Sequence, residues 1–184
     1  MDQRTPKKTR KSPAAERYDV ADQPLLRRAG GSTVIDLDNY FPAYLAWTAN
    51  KWARSASHLY LKRYGIGIEA WRLLVLLAVE GRITANRVCQ VIGMDKASVS
   101  RNFKHMHESG LIEITDDPDD KRKRFAELTA AGFALHDRML PVVMRREQRL
   151  LACLTKEERA TLQSYLRRVH ANLPALDDPS DYDD

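Results

Sequence analysis

The apolar residues of this chain recur mostly at helical spacing, and in two short stretches they alternate with polar residues. From about residue 36 to 63 they return every three or four positions, which predicts a long amphipathic helix that Gly65 terminates. A second helix is predicted over about residues 68–79, with Trp71 and Leu74 on its buried side. The chain is therefore expected to begin its folded part with one long and one shorter helix.

A tight turn separates two further predicted helices. Thr84 is placed to accept hydrogen bonds from free backbone amides at the start of a short third helix, and Gly93 supplies the turn that follows. Asp95 is placed to cap a fourth helix over residues 96–109. Three apolar residues of this fourth helix fall on one face, which predicts that it packs inward there: Val99, Phe103 and Met106.

The opposite face of the fourth helix carries small and cationic side chains. Small residues permit close approach to a DNA groove, while long cations reach bases and phosphates. A solvated surface helix also carries cations outward, so this face alone does not discriminate between the two interpretations. The outward residues are Lys96, Ala97, Ser98, Ser100, Arg101 and Lys104.

Two short alternating stretches, residues 111–115 and 124–128, predict strands around a highly charged turn. The turn is acidic at first and then presents four consecutive cations, a composition that a protein core does not accommodate. Beside a cationic helix, such a hairpin suits a surface that lies against nucleic-acid phosphates. Its cations are Lys121, Arg122, Lys123 and Arg124.

Two long helices are predicted after the hairpin, and Thr155 with Glu158 forms a capping box at the start of the second. Their apolar faces exceed what one small lobe can bury, which indicates a partner subunit. The predicted fold class is mainly α with a small β-hairpin wing. We predict a winged helix-turn-helix lobe, about residues 68–128, between long N- and C-terminal helices, about residues 36–63 and 129–173.

The two ends of the chain differ in composition from its middle. Residues 1–32 are rich in Lys, Arg and Pro and lack an apolar period, so we predict a flexible basic arm. Residues 177–184 contain five Asp and no cation, which predicts a disordered acidic tail. Residues 33–176 form a single predicted domain. The net charge of +5 understates how basic the rest of the chain is, and that excess favours an anionic partner.

Several classes of protein are not expected. The sequence lacks a run of roughly 18 apolar residues and a signal peptide, so we predict a cytoplasmic protein without a membrane partner. Cys89 and Cys153 are predicted to be buried apolar residues, with a redox sensor as the alternative. The histidines lack metal-ligand spacing, and no nucleophile or phosphate-loop motif is present. We therefore predict no metal, no cofactor, no catalytic residues and no enzyme activity.

The order of the elements and three motifs resemble the MarR family of bacterial transcription regulators. The motifs are Trp71-Arg72-Leu73-Leu74, residues 91–101, and residues 117–122 leading into residues 128–132. The resemblance covers about residues 37–173. It implies an obligate homodimer whose first and last two helices interlock, with a pseudo-palindromic double-stranded DNA operator as partner.

In the wing, the resemblance implies that an arginine enters the minor groove and that an aspartate two residues earlier orients it. Asp120 and Arg122 occupy these positions. Lys121 and Lys123 are expected to supplement the arginine through phosphate contacts. The fourth helix would then read the major groove while the wing holds the minor groove.

The resemblance also implies a small-molecule effector, most often an aromatic acid. An aromatic residue and three potential cations on the first helix, at i, i+4, i+7 and i+11, suit a planar carboxylate through stacking and charge-assisted hydrogen bonds. An interface helix with a solvated rim shows the same pattern, and that interpretation stays open. The candidates are Trp47, Lys51, Arg54 and His58, followed by Tyr44, Trp71 and Arg72.

These features predict a homodimeric repressor that a hydroxybenzoate-, hydroxycinnamate- or hydroxynicotinate-like acid releases from its operator. Release requires the ligand to prefer the conformation that does not bind DNA. Two alternatives remain: a DNA-binding repressor or antagonist without a small-molecule effector, and a redox-responsive regulator.

Overall fold

A computed structural model describes residues 25–120 and 123–178 of the 184-residue chain. The chain divides into two compact units, residues 1–59 and residues 60–184. The described strands are β1 (Leu26–Ala29), β2 (Ser32–Ile35), β3 (Ile83–Thr84), β4 (Ile112–Asp116) and β5 (Arg124–Leu128). The described helices are α1 (Phe41–Tyr64), α2 (Ile68–Glu80), α3 (Ala85–Ile92), α4 (Lys96–Glu108), α5 (Ala130–Leu150) and α6 (Lys156–Ala171), followed by a short 3-10 helix, Leu173–Asp177. The predicted fold class, mainly α with a small β wing, is confirmed.

The first unit contains a β-hairpin that the sequence did not predict. Strands β1 and β2 pair antiparallel, with Leu26 opposite Ile35. Gly30 and Gly31 connect them with φ angles of +56° and +83°, the backbone that a two-residue hairpin turn requires. The predicted flexible arm is therefore wrong for its last residues, 26–32. Residues 1–24 lie outside the described residues.

Helix α1 begins at Phe41, whereas the periodicity predicted a start near residue 36. The carboxylate of Asp36 accepts hydrogen bonds from the backbone N–H of Asp38 at 3.3 Å and from Nδ2 of Asn39 at 2.8 Å. Such local bonds give the backbone an alternative to the helix and delay its start. Pro42 then lies in the first turn, where its missing N–H costs no helical hydrogen bond.

The second unit is organised around the fully buried side of α2, on which Leu73, Leu74 and Leu77 are 0% exposed. Helices α3, α4 and α5 and strand β5 all contact α2. The wing is a three-stranded antiparallel sheet in the order β3-β5-β4, not the predicted two-stranded hairpin. Strand β3 has only two residues, so it is too short to show the alternation that identifies a strand.

Helices α5 and α6 have strong N-caps. The Thr129 hydroxyl accepts a hydrogen bond from the Gly132 N–H at 3.1 Å, and the predicted capping box of Thr155 and Glu158 is confirmed. Helix α5 buries Leu135, Met139 and Val142, whereas α6 buries none of its residues within the single chain. Residues 179–184, most of the predicted acidic tail, lie outside the described residues.

The two cysteines are free thiols, Cys89 half-buried in α3 and Cys153 exposed after α5. The prediction that both are buried apolar residues is therefore wrong for Cys153, because the turn between α5 and α6 leaves that side chain in solvent. Among residues 25–120 and 123–178, no three His, Cys, Asp or Glu side chains come together as a metal site. None of the helices in the described part of the chain has the length and apolar content that crossing a membrane requires.

Candidate nucleic-acid interface

Helix α4 is fixed at its N-terminus by the predicted cap. Oδ1 of Asp95 accepts a hydrogen bond from the Ser98 N–H at 2.8 Å. This hydrogen bond lowers the pKa of the Asp95 carboxyl. The ionised carboxylate interacts favourably with the positive end of the helix dipole. The inward face is as predicted, with Val99 and Met106 at 0% and Phe103 at 7% exposure. A helix held at its end and along one face presents its other face in a defined orientation.

Two polar contacts fix the helix-turn-helix further. Nδ2 of Asn102 donates to Oε2 of Glu69 at 2.9 Å, which ties α4 to the start of α2. The guanidinium of Arg87 on α3 donates to both carboxylate oxygens of Glu80, each at 2.8 Å. This bidentate pair lowers the pKa of Glu80. Both contacts join residues of different helices, so α3 and α4 are each fixed to α2.

The cations predicted on the outward face of α4 are exposed. Their contacts are with residues of the same helix. Nη2 of Arg101 donates to the Ser98 hydroxyl at 2.7 Å, and Nζ of Lys104 lies 3.9 Å from a Glu108 oxygen. Lys96 is also exposed, as are the small residues Ala97 and Ser100. Such solvent-exposed contacts are weak, so these long side chains can break them and bind a polyanion instead at little cost in free energy.

A groove of about 370 Å³ separates α4 from the wing. Its lining combines apolar and cationic side chains, which suits a partner with flat hydrophobic and anionic parts. The sequence did not identify the groove, because its residues come from α3, α4, β4 and β5 and meet only in the fold. The groove is lined by Ala85, Lys96, Ser100, Phe103, Lys104, His107, Ile114, Arg124 and Phe125.

The wing tip is built by backbone hydrogen bonds around the charged turn. The Asp117 N–H donates to the Lys123 carbonyl at 2.9 Å, and the Lys123 N–H donates to the Asp120 carbonyl at 2.8 Å. A carboxylate oxygen of Asp120 lies 3.9 Å from Nζ of Lys123. Lys121 and Arg122, two of the predicted DNA contacts, lie outside the described residues. The described part of the turn places Asp120 and Lys123 together at the tip.

The predicted effector residues fall into both compact units. Five lie in the first unit, exposed on α1, and the Tyr44 and Trp47 rings are 5.8 Å apart there. In the second unit Trp71 is 5% exposed, stacks on His136 with ring centroids 5.7 Å apart, and contacts the edge of Tyr60. Arg72 beside it is half-buried. The five exposed residues are Tyr44, Trp47, Lys51, Arg54 and His58.

The fold and the surface between α4 and the wing define a winged helix-turn-helix protein. The chain is similar to the MarR family, whose family model matches residues 64–123. That segment contains α2, α3, α4 and the first half of the wing. The resemblance predicted from the motifs is thereby confirmed, and the family and fold are those of transcriptional regulators rather than enzymes.

Solved structures and curated relatives agree with this assignment. A MarR/EmrR family regulator from Acinetobacter sp. ADP1 superposes with a TM-score of 0.71 at 28% identity, over 77% of this chain and 99% of that protein. A MarR mutant from Escherichia coli complexed with operator DNA shares the fold, with a TM-score of 0.65 at 24% identity, over 74% and 99% of the two chains. The HTH-type transcriptional repressor NicR of Pseudomonas putida is 26% identical over 96 residues, 52% of this chain and 61% of NicR. The chain spans 61–66% of the length of NicR and two other curated regulators.

Proposed function

We propose that this protein is a homodimeric DNA-binding transcriptional regulator that reads a pseudo-palindromic operator. The observation that carries the proposal is the groove between α4 and the wing, which Lys96, Lys104 and Arg124 line together with apolar side chains. Cations on rigid elements attract the phosphate backbone, and the small side chains of α4 permit approach to base edges. The operator complex of the E. coli MarR mutant supports this use of the fold.

In this proposal α4 enters the major groove and the wing lies over the adjacent minor groove. Arg101 exchanges its hydrogen bond to Ser98 for base acceptors, and the fork geometry of its guanidinium favours guanine. Arg122 enters the minor groove with Asp120 as its orienting carboxylate, while Lys121 and Lys123 contact phosphates. Ala97, Ser100 and Lys104 complete the contact surface of α4.

Arg101→Ala is expected to weaken operator binding about 10- to 100-fold and to relax base preference at one position. Lys104→Ala should weaken binding to all sequences alike and reduce the slope of log affinity against log salt by about 0.9. Fluorescence anisotropy with promoter fragments from the protein's own locus, at several salt concentrations, measures both effects. Arg145→Ala, which removes an exposed cation from α5, is the matched control and should leave affinity unchanged.

Arg122→Ala tests the wing in the same assay. It should weaken binding while the base preference set by α4 stays the same, because the minor groove distinguishes little beyond A·T from G·C. If Arg101→Ala, Arg122→Ala and the wild-type protein bind equally at fixed salt, the assigned roles are wrong. If the wild-type protein shows no salt-dependent binding to any fragment, DNA binding itself is wrong.

We further propose that the protein is a repressor whose effector is a small aromatic acid. The five exposed candidates on α1 would bind this acid. The tilted Tyr44 and Trp47 rings, 5.8 Å apart, offer a stacking surface, and Lys51, Arg54 and His58 follow along the same helix. The repressor name of NicR supports this direction of regulation. In the second unit Arg72 is the accessible candidate, since Trp71 is almost fully covered.

Hydroxybenzoate, hydroxycinnamate and hydroxynicotinate provide the test of this effector site. One of them should lower operator affinity by about tenfold or more, a usual size for allosteric coupling. Arg54→Gln should abolish that response without changing DNA affinity in the absence of acid, and Lys62→Gln, at the other end of α1, should preserve it. If no acid changes operator affinity or the melting temperature, the effector-free repressor is favoured. A response to peroxide that Cys153→Ser removes favours the redox-responsive alternative.

A further inference from the structure

Phe125 of the wing lies on the face of the sheet opposite to Ala126, and it also lines the groove between α4 and the wing. Thr115 of β4 pairs with Phe125 of β5, and the flanking residues Ile112, Ile114 and Ala126 belong to the inward face. Successive side chains of a strand point to opposite faces, so Phe125 points away from the core that buries Ala126. Phe125 is nevertheless only half-exposed. A neighbour must therefore cover its ring.

Arg82 provides that cover. It lies between Gly81, which ends α2 with a φ of +75°, and strand β3. Its guanidinium carbon is 4.1 Å from the centroid of the Phe125 ring. Its Nη2 and Nε atoms lie 3.1 and 3.4 Å from the hydroxyl oxygen of Thr115, which accepts their hydrogen bonds. A single side chain thus joins the end of α2 to both long strands of the wing at one cross-strand pair.

The position of this pair along the wing determines what Arg82 can control. The next pair toward the tip is Asp116 with Arg124, whose charged groups are 3.4 Å apart. The turn begins immediately beyond, where the Asp117 N–H bonds to the Lys123 carbonyl. Strand β3 pairs with β5 only as far as Phe125, and beyond that point β4 and β5 are paired only with each other. A contact this close to the turn sets the direction of the tip.

We propose that Arg82 is a positioning residue that holds the wing at the angle at which its tip meets DNA, without contacting DNA itself. This inference rests on the proposed DNA-binding function. Arg82 acts through the Phe125 ring and the Thr115 hydroxyl, and its planar guanidinium can stack and donate two hydrogen bonds at once. The lysine ammonium is not planar, so it cannot lie flat against the ring while it donates hydrogen bonds at its edge, and it cannot replace arginine in this role.

The test combines Arg82→Ala, Arg82→Lys, Phe125→Leu and the double variant Arg82→Ala/Phe125→Leu in operator-binding titrations across a salt series. Both single changes at Arg82 should weaken binding by about fivefold to tenfold, the range expected for one stacking contact with its hydrogen bonds. The slope of log affinity against log salt should stay at the wild-type value, because no phosphate contact is lost. The double variant should bind about as well as Phe125→Leu alone, because Arg82 acts through the Phe125 ring and its removal then causes no further loss.

Two other results would overturn the assignment. If Arg82 contacts a phosphate directly, Arg82→Lys retains the wild-type affinity and Arg82→Ala lowers the salt slope by about 0.9. If Arg82 only stabilises the lobe, Arg82→Ala lowers the melting temperature. Operator affinity measured at temperatures well below the melting temperature then stays unchanged. Arg145→Ala, which removes an exposed cation from α5, is the control for operator affinity.

Amide hydrogen exchange without DNA separates this inference from the proposed function. In Arg82→Ala the amides of Asp117 and Lys123 should exchange at least several-fold faster, while the amide of Val99 in α4 keeps its wild-type rate. Arg87→Ala should leave the wing amides unchanged. If the wild-type protein does not bind DNA, the proposed function fails while the exchange result still tests the contact. Unchanged wing exchange with intact DNA binding would show that Arg82 does not position the wing.

Discussion

Gly132→Ala is expected to destabilise the protein by about 2–3 kcal/mol, a large effect for one added methyl group. A Cβ at position 132 would collide with the backbone carbonyl oxygen of Leu111 and lie 3.1 Å from Cδ2 of Leu128. A backbone atom cannot rotate away as the end of a side chain can, so the start of α5 and the strand entering the wing must move apart. Thermal unfolding should show a melting temperature lower by about 5–10 °C.

The collision is costly because the same junction holds three hydrogen bonds. The Leu111 carbonyl accepts from the Thr129 N–H at 3.1 Å, and the Thr129 hydroxyl donates to the Gly110 carbonyl at 2.7 Å. That hydroxyl also caps α5 by accepting from the Gly132 N–H. Ala131→Ser, at an exposed position in the same turn, is the control and should change stability by less than about 0.5 kcal/mol. Equal melting temperatures for the two variants would show that the close approach at Gly132 is not limiting.

Local signals predicted most of the helical part of the fold. The second helix was predicted at residues 68–79 and observed as Ile68–Glu80. Helix α4 begins where Asp95 stands before a run with apolar residues at i, i+4 and i+7. These signals succeed because a cap bonds to amides only a few residues away, and helical periodicity is itself a local property. The MarR resemblance rested on the same segments and was confirmed.

The errors concern features that depend on pairing or on competition between local structures. The β1–β2 hairpin and the two-residue strand β3 have too few residues for a recognisable alternation. The start of α1 was displaced because Asp36 stabilises a turn that competes with the helix. The hairpin and β3 were therefore missed, and the apolar period alone placed the start of α1 too early.

The candidate interface also has a part that the sequence predicted and a part that only the fold reveals. The outward residues of α4 followed from helical geometry and are exposed as expected. The contact between Asn102 and Glu69 and the contact between Arg82 and Thr115 each join residues 33 positions apart, so no local pattern indicated them. The sequence therefore identifies which side chains of α4 are exposed, while the fold is needed to find the residues that hold those side chains in place.

Leu166→Glu is expected to convert the protein to a monomer and to lower operator affinity by about 100-fold or more. Helix α6 buries none of its residues within the chain, and its apolar side chains lie along one stripe: Leu162, Tyr165, Leu166 and Val169, 39–56% exposed. Such a stripe is stable in water when a second subunit covers it, and an unpaired carboxylate there opposes that association. A monomer loses the second half-site, whose contribution as a linked binding event is about 10²- to 10⁴-fold.

Ser164→Glu separates the loss of the apolar surface from the addition of charge. Ser164 is exposed on α6 about half a turn away from the stripe, so this variant adds the same charge without disturbing the proposed interface. It should remain dimeric and retain operator affinity within a few-fold. Light scattering after size exclusion measures the assembly, and anisotropy with full and half operators measures binding. If Leu166→Glu stays dimeric, α6 does not form the interface. If it is monomeric but binds the full operator as tightly as the wild type, recognition does not require two linked lobes.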